Sequence, residues 1–121
     1  METGRSLENR RNEPSTDSKN IKKISNHIAR LFSPQKIILF GSCASGKADN
    51  RSDIDLLVIT SFSGRRRKLM VEMDRAVSSF RKPVDIIIQT AEEYEKNRLI
   101  PGTIARYAFL EGKILYERET N

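Results

Sequence analysis

Cysteine, histidine and tryptophan are almost missing from this chain: one, one and none among 121 residues. The single cysteine, Cys43, excludes an internal disulfide and fits a reducing compartment. One cysteine and one histidine, His27, cannot build a Cys/His metal site. No run of about 18 apolar residues occurs, so a membrane-spanning helix is not expected. The first twenty residues lack the apolar stretch of a secretory signal, and a cytoplasmic location is the expectation. Hydrophobic residues make up 37%, enough for one modest core but hardly for two.

Positive charge is present and unevenly spread. Of the net +6, residues 1–20 contribute nothing, with four basic and four acidic side chains. Residues 90–121 hold five basic and six acidic side chains, a net of −1. The middle, 21–89, has thirteen against six, a net of +7. That excess suits a polyanion, a nucleoside triphosphate or a nucleic acid, and does not separate the two. A solvated basic surface with no ligand fits the charge equally well.

Residues 1–18 are polar and nearly free of large apolar groups, and read as a mobile tail. The domain occupies 19–121. From Asn20, Ile21, Ile24, Ile28, Leu31 and Phe32 recur at helical spacing, until Ser33-Pro34 ends the helix. Lys36–Phe40 and Asp53–Thr60 read as strands. From Arg65 a helix carries the stripe Leu69, Met73, Ala76 or Val77, and Phe80. Pro83 opens a strand at Val84–Gln89. Thr90 and Glu93 form a capping box, and Thr103 caps a last helix through Glu111. Gly112 suits the left-handed position that follows, and Lys113–Glu117 is a final strand. The order α-β-β-α-β-α-α-β predicts an α/β (α+β) fold, a small mixed sheet of about four strands packed by helices.

Asp53-Ile54-Asp55 is the first chemical signal. Side chains alternate along a strand, so both carboxylates share one side while Ile54 enters the opposite layer. Like charges so close repel and resist desolvation, a conflict that a magnesium ion resolves. A structural reading, Asp53 capping a turn and Asp55 facing water, stands beside it. Strand Lys36–Phe40 leads into Gly41-Ser42, where a phosphate can approach the glycine backbone and take donors from the serine hydroxyl and free amides. Gly-Ser alone is common in plain turns; the composite of strand, Gly-Ser, ten residues and Asp-x-Asp is more specific. Asp85 interrupts an apolar strand within the sheet, where a lone carboxylate needs a partner or a metal. Three carboxylates from two strands match what a two-metal phosphoryl-transfer site needs.

This composite resembles the signature of the DNA polymerase β-type nucleotidyltransferase superfamily, and among its members the minimal nucleotidyltransferases (MNT proteins). The likeness runs from Ile21 to Tyr116 and includes the ending Arg106–Tyr116. The resemblance implies a polymerase beta-like core in which Asp53, Asp55 and Asp85 are catalytic and hold two Mg²⁺ ions. It implies that Gly41, Ser42 and Ser52 bind the nucleotide, with ATP as substrate. An acceptor hydroxyl, its proton taken by Asp85, would attack the α-phosphorus, and pyrophosphate would leave. Many MNT proteins are antitoxins paired with a helical HEPN ribonuclease, and some attach AMP to a tyrosine of that partner. Relatives often carry arginine where this chain has Cys43 and Ser45, which leaves Lys47 and Arg51 as nearby positive charge.

Two other readings stay open. One is a non-catalytic module that neutralises a partner protein by covering it. The other is a basic nucleic-acid-binding domain drawing on the run Arg65–Lys68, although no aromatic residue interleaves with that run to stack bases. A homo- or hetero-oligomer is compatible with all three. His27 and Cys43 read as packing residues, and Tyr94, Tyr107 and Tyr116 as core or interface.

Overall fold

The computed structural model of the protein describes residues 16–46 and 53–119. Helix α1 spans Thr16–Phe32, starting four residues ahead of the expected Asn20. Of the expected tail, residues 1–15 lie outside the described residues. Ile21, Ile24 and Ile28 of α1 are buried, but Leu31 is 54% exposed. Leu31 and Phe32 are adjacent, so one helical stripe cannot hold both; Phe32 takes the inward place. Ser33 ends the helix in the left-handed region (φ 48°), its N–H still donating to the Ala29 carbonyl at 3.0 Å. His27 fills a packing role, its ring edge-on to Phe80 at 5.6 Å.

Strand β1 (Lys36–Phe40) follows, then a single-turn helix α2 (Ser42–Ser45) and strand β2 (Ile54–Ile59). Helix α3 (Arg66–Val77) runs into a 3₁₀ turn at Ser78–Phe80, and β3 covers Val84–Gln89. Helices α4 (Ala91–Asn97) and α5 (Ile104–Glu111) lead to β4 (Lys113–Glu117). The expected capping box is present: Glu93 N–H donates to Thr90 Oγ1 at 3.1 Å and Thr90 N–H to Glu93 Oε1 at 2.9 Å. Arg66, in the basic run, is committed to structure: its guanidinium pairs with Glu93 at 2.7 Å and lies over the Phe62 ring.

The four strands form one mixed sheet in the order β3-β2-β1-β4. β1 pairs antiparallel with β2 and with β4, and β2 pairs parallel with β3. Both faces of the two central strands are covered. On one, Ile24 and Ile28 of α1 and Met73 and Val77 of α3 meet Ile37, Leu39, Ile54, Leu56 and Val58. On the other, Tyr94 of α4 and Ala105 and Ala108 of α5 meet Ile38, Phe40, Leu57 and Ile59. Burial on two sides is why β1 and β2 read as continuous apolar runs and not as alternating ones. Among the described residues no helix is long and apolar enough to cross a membrane.

Two expectations are corrected by this arrangement. β3 is an edge strand, so Asp85 is exposed and is not packed within the sheet. Gly112 is extended (φ −82°, ψ 171°), not left-handed, because β4 begins at the next residue and the chain must leave α5 already straight. Glycine is needed there for space: a Cβ would run into the Ala108 carbonyl and Ile38 Cγ2, and would come within 2.9 Å of the Leu39 carbonyl. Gly112→Ala should therefore cost about 1–3 kcal/mol of unfolding free energy in a urea melt, as overpacked cores do.

Candidate active site

Strand β1 hands the chain to Gly41, whose φ of 77° and ψ of −157° belong to a region essentially reserved for glycine. That conformation turns the backbone sharply into α2, where the Ala44 and Ser45 amides donate to the Gly41 carbonyl at 3.1 and 3.2 Å. Ser45 Oγ closes the turn on the Ser42 carbonyl at 3.2 Å, and Gly46 ends it in the left-handed region. Cys43 does more than pack. Its thiol donates to the Asp53 carbonyl at 3.3 Å, tying the Gly-Ser turn to the segment that enters β2.

Asp55 is the centre of the arrangement. It lies opposite Phe40 on β1 and opposite Asp85 on β3. A Cβ at Gly41 would collide with Asp55 Oδ2, so the carboxylate lies against bare backbone. The turn and the carboxylate pair are thus adjacent, as the sequence composite requires. Asp53 precedes β2 in coil and is exposed, while Ile54 is buried in the opposite layer. Strand alternation therefore reaches Asp55 but does not fix Asp53.

Burial raises the Asp55 carboxyl above its usual range, and the charges of Asp85 and then Asp53 raise it further. All three carboxylates accordingly share one field. A fourth joins them: Asp74 on α3 is raised by burial and by the charge of Asp85. No motif marks Asp74 in the sequence. Its position emerges only when α3 packs against β3. Ser52, expected to bind nucleotide, lies outside the described residues, as do Lys47 and Arg51.

Carboxylate oxygens are the ligand type magnesium takes, usually one or two carboxylates plus substrate phosphates. The donor set at Asp53, Asp55 and Asp85 fits by kind and, for Asp55 and Asp85, by strand register. Among the described residues, however, no three Asp, Glu, His or Cys side chains close into a group able to hold an ion. The expected closed shell is therefore not drawn by these side chains alone. Mutual repulsion works against closing it without a cation or a substrate oxygen between them.

A raised carboxyl pKa means that the folded state holds the ionised form at a cost. The cost is present at neutral pH and is relieved as pH falls through the raised value toward the unfolded value of 3.8. Asp55→Asn should therefore stabilise the fold at pH 7 by at most about 1 kcal/mol, the site being partly solvent-screened. The difference in Tm from the parent should shrink as the pH is taken below 3.8. A gain that grew on acidification would contradict this electrostatic account.

Residues 22–121 match the family described as Polymerase beta, Nucleotidyltransferase. No curated protein matches the chain. Among solved structures, a nucleotidyltransferase candidate from Sulfolobus solfataricus is 26% identical (TM-score 0.52, 83% of this chain and 79% of that one covered). A toxin-antitoxin complex solved with AMP-PNP is similar in fold at 21% identity (TM-score 0.56, 83% and 74% covered). So is the MntA-HepT toxin-antitoxin at 19% identity (TM-score 0.54, 84% and 73% covered). With 100 of its 121 residues matched, and with the Gly-Ser turn set against Asp55, this chain belongs to the polymerase beta nucleotidyltransferase family.

Proposed function

We propose that the protein is a Mg²⁺-dependent nucleotidyltransferase that moves AMP from ATP to a hydroxyl of a partner toxin, acting as its antitoxin in the cytoplasm. The observation that carries this reading is Asp55, in register with Asp85 and pressed against the side-chain-free backbone of Gly41. The family match supports the reaction class. The partner and the nucleotide are suggested by the fold relatives, one a toxin-antitoxin complex with AMP-PNP and one an MntA-HepT complex. A tyrosine of a helical HEPN-type protein is the acceptor this reading favours.

Each residue has a part. Gly41 allows the β- and γ-phosphates to approach the turn closely, and the Ser42 hydroxyl donates to them. Asp53, Asp55 and Asp85 would hold two magnesium ions, which neutralise the phosphates and polarise the phosphorus under attack. Asp85, exposed at the sheet edge, is open to an incoming macromolecule and accepts the proton of the acceptor hydroxyl. A new bond forms from the acceptor oxygen to the α-phosphorus, the bond from that phosphorus to the bridging oxygen breaks, and pyrophosphate leaves. Cys43 holds the Asp53 segment to the turn through its bond to the Asp53 carbonyl.

Incubation with the partner, Mg²⁺ and α-labelled ATP should transfer label. Asp53→Asn and Asp55→Asn should each reduce the rate by about 10²-fold or more, the scale set by loss of an electrostatic stabiliser. Mg²⁺ with a non-hydrolysable ATP analogue should also raise the parent's Tm, by about 2.7 kcal/mol of stability at 100 times Kd, and not that of the double variant. Label transfer persisting in both variants would remove the mechanism. Neutralisation of the toxin surviving in the double variant would replace it with simple covering.

A further inference from the structure

Helix α5 packs on the sheet the wrong way round for its composition. Its two small residues, Ala105 and Ala108, are buried, while Ile104, Tyr107, Phe109 and Leu110 are 40–58% exposed. Leu99 before the helix (62%) and Ile114 after it (55%) extend the same surface. A helix turned only toward its own core would bury the large side chains and expose the small or polar ones.

We propose that this surface is an isologous contact with a second copy of the chain. Area is the first support. Six side chains of roughly 200 Å² each, about half exposed, present on the order of 600 Å² of apolar surface. A standard protein interface takes about 800 Å² from each partner, so the apolar part alone supplies most of one. Charge is the second. A twofold contact sets a surface against its own image, so any excess of one sign repels itself. Residues 90–121, which form this surface, carry a net of −1, while residues 21–89 carry +7. The nearly neutral part of the molecule is the part that can meet itself.

Its rim is charged in balanced pairs, as interface rims are. Arg98 bonds Glu95 at 2.8 Å and lies over the Phe109 ring at 4.7 Å, and Lys36 pairs with Glu117 at 3.5 Å. Between α4, α5 and β4 a groove of about 390 Å³, with Phe109 and Ile114 in its walls, offers room to seat a side chain of the other copy. The contact is made by side chains and not by extending the sheet. β4 is an outer strand, but a register shift opposite Ile37/Ile38 and the charge of Lys113 blunt its free edge. Tyr107 stands edge-on to Phe40 at 6.2 Å, so the interface would run up to the residue before Gly41 and flank the nucleotidyl site.

The test is the solution mass of the full chain, by light scattering after size exclusion at about 0.1 mM without nucleotide. The expected mass is twice 13.9 kDa, unchanged in high salt because the contact is mainly apolar. Leu110→Glu and Ile114→Glu should each halve it with unaltered circular dichroism, since both side chains are more than half exposed. Leu31→Glu, equally exposed on α1, should leave the dimer intact. A parent mass of 13.9 kDa, a dimer that survives either α5–β4 variant, or a dimer lost equally in Leu31→Glu would overturn the proposal. The measurement uses neither ATP nor a toxin, so it fails or succeeds independently of the catalytic reading.

Discussion

The carboxylate of Asp55 takes up the space that a side chain on residue 41 would need. This contact requires several things at once. Residue 41 must be glycine, for room and for a backbone conformation that other residues avoid. β1 and β2 must pair antiparallel in a register that puts Phe40 opposite Asp55. Apolar burial on both faces of the sheet holds that register, because a slip of one residue would exchange the layers served by Ile54 and Asp55. The two hydrophobic clusters thus do more than stabilise the fold: they keep an anion-accepting turn and an anionic side chain in contact.

Such a contact is electrostatically unfavourable by itself, and that is informative. Asp55 is raised by burial and by two neighbouring carboxylates, and Asp74 by burial and by Asp85. A fold selected for stability alone would not gather acids at one end of a sheet whose surrounding segment carries +7. Nearby basic groups that could neutralise them are engaged elsewhere; Arg66 is held by Glu93. The conflict is relieved by a bound cation and its phosphate, the ligand set that the family's chemistry uses.

Much of this was legible in the sequence because it rests on local patterns. Strand β1, the turn at Gly41, strand β2 and the capping box at Thr90 each follow from residue periodicity and turn chemistry over a few positions. What was not legible depends on packing. Asp85 looked buried because Val84, Ile86, Ile87 and Ile88 surround it; sheet order, which no local pattern encodes, places β3 at an edge. Gly112 matched the rule for helix ends, but its real constraint is the approach of Ile38 and Leu39 from another strand. Asp74 has no signal, since one acid on a helical surface is ordinary until β3 is packed beside it. Cys43 looked like filler, and its bond to Asp53 spans ten residues.

The two sides of the sheet are finished differently, and the difference follows from side-chain size. On the α1/α3 side, isoleucine, methionine and valine fill the layer and leave Leu31 and Val71 as exposed large apolar residues on those helices. On the α4/α5 side, two alanines bring α5 close to β1, and Gly112 keeps the following turn equally tight. Close approach leaves no room for large side chains beneath the helix, so Tyr107, Phe109 and Leu110 are pushed outward. The space that a bulkier helix face would have filled inside the molecule is offered at its surface instead. Tyr107 ties that surface to Phe40, and through it to the Gly41 turn. Whatever covers α5 is therefore mechanically next to the nucleotidyl site, and small residues under one helix connect recognition to chemistry.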